Sequence, residues 1–177
     1  MRDDDALLDR EAIHSLLDEL ALEMEGQGLR AELFLVGGAA MALAYDERRA
    51  TRDLDAVFVP KAAVYAAARR VAERRGLDPD WLNDGVMGFL LGDDVARRTV
   101  FERPGCVVMV ASPQYLLAMK VFAARVDRDA ADILFLAREC GLTTGDAVLD
   151  MAESYFAGRP VPPKVHLMVE ELFNPAD

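Results

Sequence analysis

The stretch "LVGGAAMALAYDERRATRDLDAVF" (residues 35–58) contains two apolar runs, a glycine pair after the first and two carboxylates at the head of the second. A short apolar run that closes on Gly37–Gly38 and passes into the alanine-rich "AAMALAYDE" has the order strand, tight turn, helix. "DLDAVFVP" (53–60) then reads as a second strand, bounded by Pro60. On a strand, residues i and i+2 point to one face, so Asp53 and Asp55 project together. Two like charges that close destabilise a fold unless a cation, a donor network or solvent offsets them.

Outward from this stretch, the chain reads as one α+β unit. Residues 6–26 repeat apolar positions at helical spacing and stop at Gly26 and Gly28. "AELFLVGG" supplies a buried strand over Leu33–Val36. "KAAVYAAARRVAERRG" (61–76) has an alanine/valine face and an arginine/glutamate face, which is helical patterning ended by Gly76. The turn-rich "DPDWLND" follows, with Trp81 expected as a core anchor. "MGFLL" (87–91), "ARRTVFE" (96–102) and "CVVMVAS" (106–112) read as short strands separated by tight turns. Ser112–Pro113 has the signature of an N-cap followed by proline at the first helical position. From there helices are expected at 113–125, 128–140 and 144–157, with a last one after Pro160–Pro163 to about 172. The expected fold is a small mixed β-sheet flanked by helices over about 30–111, with a helical C-terminal part, 112–177, closing the cleft of a single domain 1–177.

Bulk properties narrow the class. The chain has 177 residues, 53% hydrophobic and 29% charged, an ordinary globular composition large enough for a substantial core. No apolar run reaches the roughly 18–20 residues of a membrane helix. The acidic, amphipathic start matches neither a signal nor a transit peptide. Cys106 and Cys140 stand alone, without metal-ligand spacing or a disulfide framework, which fits a reduced, cytoplasmic setting. A net charge of −11 argues against broad affinity for nucleic acid while leaving room for a local basic groove.

The glycine pair and the acid pair together suit nucleotide chemistry. Paired glycines at a strand-to-helix turn let the backbone approach a phosphate, and the helix start offers N–H donors and a favourable dipole. Two carboxylates on one face can hold divalent cations that neutralise a triphosphate. Arg48, Arg49 and Arg52 precede the second strand, where they either meet a triphosphate or offset Asp46, Glu47 and the acid pair.

On these residues the stretch resembles the nucleotidyltransferase superfamily (the polymerase-β-like fold), whose signature is a hydrophobic-Gly-Gly/Ser turn followed by Asp-x-Asp/Glu. In detail it is similar to the bacterial branch that includes AbiEii and MenT-type toxins, through Gly37, Gly38 and Ala40 and through Thr51, Asp53, Leu54 and Asp55. The branch also has a later helix with a lysine, then an arginine and paired acids, which "YLLAMKVFAARVDRDAADILFL" (115–136) matches with Lys120, Arg125, Arg128, Asp129 and Asp132. The resemblance implies transfer of a nucleotidyl group from an NTP. Asp53 and Asp55 would bind Mg²⁺, Gly37, Gly38, Thr51 and Arg52 would meet the nucleotide, Lys120 would steady the charge, and Asp132 would orient it or act as base. The acceptor would be RNA such as tRNA, or protein, in a toxin–antitoxin or phage-defence setting with an antitoxin or toxin partner.

The residues themselves add weight to Lys120. Of 20 cations only Lys61, Lys120 and Lys164 are lysines, and Lys120 alone lies among apolar neighbours, where a compact charge fits better than a guanidinium fork. The competing reading is a helix-end lysine snorkelling to water. Asp129 and Asp132 are equally explained as i,i+4 ion pairs with Arg125 and Arg128. Polymerase-like relatives commonly add a third carboxylate on a later strand, and "CVVMVAS" has none. That departure keeps two alternatives open: an antibiotic nucleotidyltransferase acting on a cationic small molecule, and a non-catalytic antitoxin-like or scaffolding module.

Overall fold

A computed structural model of the protein describes residues 7–124, 129–156 and 159–174, and shows an α+β chain in two compact units. One unit runs to Gly88 and includes Ala96–Ala111; the other comprises Phe89–Val95 and the chain from Ser112.

The first unit holds a five-stranded mixed sheet in the order β3-β2-β1-β5-β4. Its centre is β1 (Ala31–Leu35), where Ala31, Leu33 and Leu35 are buried and Glu32 is exposed, the alternation that a strand with one covered face requires. β1 runs antiparallel to β2 (Leu54–Val59) and parallel to β5 (Cys106–Val110), and β5 returns antiparallel to β4 (Arg98–Arg103). The edge strand β3 (Leu82–Asn83) lies parallel to β2. The apolar side chains Leu54, Ala56 and Phe58 of β2 are buried, whereas Asp55 and Val57 on the opposite face are only partly covered.

Two long helices, α1 (Arg10–Glu25) and α3 (Lys61–Arg75), pack together on this sheet. Their apolar faces are buried, and their rims carry a lattice of ion pairs. Glu23 receives Arg70 and Arg74 at 2.5 Å each, and Glu19 receives Arg75 at 2.5 Å. This lattice accounts for the arginine face of α3. α2 (Gly37–Ala44) is short, and arginines from elsewhere fill its C-terminal carbonyls: Arg10 donates to Ala42 O at 3.0 Å and Arg98 to Ala44 O at 2.7 Å.

One expected strand is not there. "MGFLL" forms a 3-10 turn over Gly85–Phe89 and then irregular chain, with Met87 and Phe89 exposed. The strand in this region is β3, five residues earlier, because Trp81 and Leu82 bury their side chains and Trp81 Nε1 donates to Ala68 O at 3.0 Å. Burial, not apolar content, chose the strand.

In the second unit, α4 (Pro113–Ala123) starts on the expected cap: Ser112 Oγ accepts from Tyr115 N at 3.2 Å. The cap is itself held by the buried Asp94, which accepts from Ser112 N at 2.6 Å and Ser112 Oγ at 3.0 Å. Tyr115 OH ties the same segment down by donating to Gly92 O and accepting from Leu91 N. α5 (Ala130–Glu139), α6 (Gly145–Tyr155) and α7 (Pro163–Phe173) complete a helical cluster, α4 against α5 and α6, and α6 against α7. Among the described residues no helix is long and apolar enough to cross a membrane.

The β4–β5 turn approaches α1 so closely that a Cβ on Gly105 would lie 2.0 Å from Ala21 O. Both contacting groups are backbone, so neither can rotate away. Gly105→Ala is expected to cost about 3 kcal/mol or more in urea-induced unfolding. Gly28→Ala, which has open space but a φ of +68°, should cost only about 1 kcal/mol.

Candidate functional site

The glycine turn and the acid pair meet in the first unit. Gly37 stands at φ +59°, a left-handed conformation that favours glycine, and a Cβ there would lie 3.5 Å from Asp55 Oδ2. A Cβ on Gly38 would lie 2.7 Å from Thr51 Oγ1, so only glycine lets Thr51 seat. Thr51 is fixed in turn. Its backbone exchanges hydrogen bonds with Leu8, and its hydroxyl donates to Asp53 O at 3.1 Å. Val36 N, at the end of β1, donates to Asp55 O at 3.0 Å. The turn, Thr51 and the acid segment therefore form one hydrogen-bonded corner at the end of the sheet.

Asp53 enters β2 from a bend, and Asp55 lies two residues on. The residue beside Asp55 in register on β3 is Asn83. Asn83 Nδ2 donates to Asp53 Oδ2 at 3.3 Å, and Asn83 Oδ1 accepts from Gly85 N at 3.0 Å. The next residue, Asp84, is bound by Lys61 and by the Tyr65 hydroxyl at 2.5 Å. Lys61 above all, with Tyr65, holds the Asp84 carboxyl below its ordinary range, while the bond to Asp84 raises the Tyr65 phenol. Asn83 is the residue that sequence reasoning undervalued. The placement of β3 hid it.

The electrostatics of the pair are those of an anionic corner. Burial, and then the neighbouring Asp53 charge, push the Asp55 carboxyl above its ordinary 3.8, partly countered by Asn83. Among the described residues no cation pairs with Asp53 or Asp55. Of the arginines before the strand, Arg48 and Arg49 both bind Asp46 at 3.3 Å, while Arg52 is exposed. Two carboxylates at one end of the sheet, beside a glycine turn, are hard oxygen ligands of the kind that fits a divalent cation shared with phosphate.

The second cluster lies in the other unit. Lys120 Nζ is 2.8 Å from Asp129 Oδ1 and 2.8 Å from Asp132 Oδ2, so both acids of the later motif hold it. Burial works against the ammonium, but the two carboxylates outweigh it and raise the Lys120 pKa. Asp129 holds Lys120 as closely as Asp132 does. Arg125 and Arg128, the arginines expected to pair with these acids, lie outside the described residues. His14 and His166 belong to no metal cluster, and among the described residues no three His, Cys, Asp or Glu side chains gather as one.

Comparison with known proteins adds a family. Residues 12–137, over two thirds of the chain, match the family described as "Nucleotidyltransferase of unknown function (DUF6036)". The match spans both clusters. No curated protein matches the sequence. Among solved structures, an antigenic nucleotidyltransferase-like protein from Paracoccidioides brasiliensis is similar at a TM-score of 0.46 and 15% identity, over 93% of this chain and 94% of that one.

Two stability measurements check this electrostatic description. The raised Asp55 pKa means the folded state holds a proton that the unfolded chain releases. The stability from that proton is present at low pH and is lost as pH rises through a window opening near 3.8. Asp55→Asn should therefore raise the metal-free Tm at pH 7 by about 2 °C or more, with the gain shrinking toward pH 4. The raised Lys120 pKa acts with the same sign in an alkaline window: it contributes stability in full below 10.5, lost as pH rises through the folded value. Lys120→Ala leaves Asp129 and Asp132 without their shared ammonium and should cost about 2 kcal/mol in chemical denaturation.

Proposed function

Since the chain belongs to this nucleotidyltransferase family, we propose that it transfers a nucleotidyl group from an NTP to an acceptor hydroxyl, with Asp53 and Asp55 as the cation-holding pair. The observation that carries the reading is the nearness of the Gly37 turn to the Asp55 carboxylate, whose Oδ2 lies 3.5 Å from where a Cβ would stand, which brings a phosphate-compatible turn and an acid pair together. In the reaction the acceptor oxygen bonds to the α-phosphorus, the bond from that phosphorus to the α–β bridging oxygen breaks, and pyrophosphate leaves with its electron pair. The acceptor proton passes to a carboxylate or to water.

Each residue of the corner has a defined task. The absent Cβ at Gly37 would admit phosphate oxygens to the backbone N–H groups at the start of α2, while Gly38 gives its space to Thr51. Asp53 and Asp55 would hold Mg²⁺, which supplies charge neutralisation of the triphosphate when bound. Thr51 fixes the spacing between turn and acids, and Arg52 is an exposed cation beside them. The resemblance also assigns Lys120 and Asp132 a part in transfer, and the two acids on Lys120 keep it charged across neutral pH.

For the acceptor we favour an RNA end, such as that of tRNA, or a protein hydroxyl, in a toxin–antitoxin or phage-defence setting, which rests on the likeness to that bacterial branch. A second reading has its own observation. The net charge of −11 attracts a cationic small molecule and repels a polyanion, which suits an antibiotic acceptor. Incubation with each α-labelled NTP, Mg²⁺, and total RNA, protein extract or aminoglycosides separates these outcomes. Label should move to one acceptor class in wild type. Asp53→Asn and Asp55→Asn should each lower transfer at least about 100-fold, and no movement of label to any acceptor defeats the proposal.

A further inference from the structure

The amide of Asn83 is held in one orientation from both ends. Its Oδ1 accepts the Gly85 N–H and its Nδ2 donates to Asp53 Oδ2. Reversal would set an NH₂ group against a backbone donor and an oxygen against a carboxylate, so only one rotamer satisfies both neighbours. Gly85 makes room for this, since a Cβ there would lie 3.1 Å from Asn83 Oδ1. The following residue is anchored by Lys61 and Tyr65, which pins the turn that carries the Gly85 donor. The pairing of Asn83 with Asp55 in the parallel register sets the amide beside both acids.

An amide nitrogen in this place does two things. It occupies one oxygen of Asp53, leaving Oδ1 as that side chain's open ligand atom. It also adds a donor where another side chain could have added a charge, so among the described residues the corner carries two carboxylates and no third. Magnesium dehydrates reluctantly, and sites with one or two carboxylates bind it mainly together with substrate phosphates. We propose that Asn83 is a positioning residue that orients Asp53 and keeps the site too weakly charged to retain the cation alone, so that metal and nucleoside triphosphate bind as one complex. This rests on the reading of Asp53 and Asp55 as cation ligands.

The test uses the full chain, with Mg²⁺ alone and Mg²⁺ with each of the four common NTPs, followed by thermal shift and calorimetry. Wild type should show no response to Mg²⁺ alone at millimolar concentration and a clear response to the complex. Asn83→Asp should bind Mg²⁺ alone at least about tenfold more tightly than wild type. Asn83→Ala should keep its far-ultraviolet circular dichroism yet lose about tenfold in affinity for the complex, the size of effect that removal of a ligand-orienting partner produces. Wild-type binding of Mg²⁺ alone as tight as that of Asn83→Asp overturns the inference, as does wild-type affinity for the complex in Asn83→Ala. Indifference of wild type to Mg²⁺ with every NTP is a different failure, because it removes the cation reading itself.

Discussion

The geometry of the first unit's polar corner depends on the hydrogen in place of a side chain at Gly38. Thr51 fills the space that a Cβ would take, and from there it bonds to Leu8 through its backbone and to the Asp53 carbonyl through its hydroxyl. A residue any larger would push Thr51 outward and carry Asp53 with it. The acid pair is therefore placed by a contact between turn and connection rather than by β2 alone. Gly37 matters for a separate reason, its left-handed backbone, and the two glycines are not interchangeable.

This corner joins two kinds of constraint. The apolar face of β2 is fixed by burial of Leu54, Ala56 and Phe58, and the alternation of the strand then obliges Asp55 to emerge on the other side. Register with β3 adds Asn83 beside it. Repulsion between the acids raises the free energy of the metal-free state, and one amide donor offsets only part of it.

Much of this was legible in the residues. The glycine pair, the Asp-x-Asp strand and the Ser112–Pro113 helix start each carry a local chemical reason that tertiary packing did not override. The partners of Arg70, Arg74 and Arg75 on α3 are Glu19 and Glu23 of α1, more than 40 residues away in sequence, and such pairings leave no local trace. β3 escaped for a related reason. Two residues offer no periodicity, and its strand character comes from pairing with Leu54 and Asp55 across a helix. The apolar "MGFLL" imitated a strand because composition does not report exposure. Asp129 was missed because its i,i+4 spacing to Arg125 already offered a sufficient partner, while the lysine it holds lies on the preceding helix.

The arginines at the far end of α2 bear on how the corner comes into being during folding. An eight-residue helix is well short of the about 12–15 residues that isolated helices need in water, and α2 has no side-chain N-cap. Its last carbonyls are completed by Arg10 from α1 and Arg98 from β4, separated by 88 positions in the chain. Residues 37–44 thus have no helical state of their own to fall back on, and they order only when the two ends of the first unit have already come together. The glycine turn is therefore expected to form late in folding, and any local unfolding that releases β4 or the start of α1 should dissolve it while the central strands are still paired.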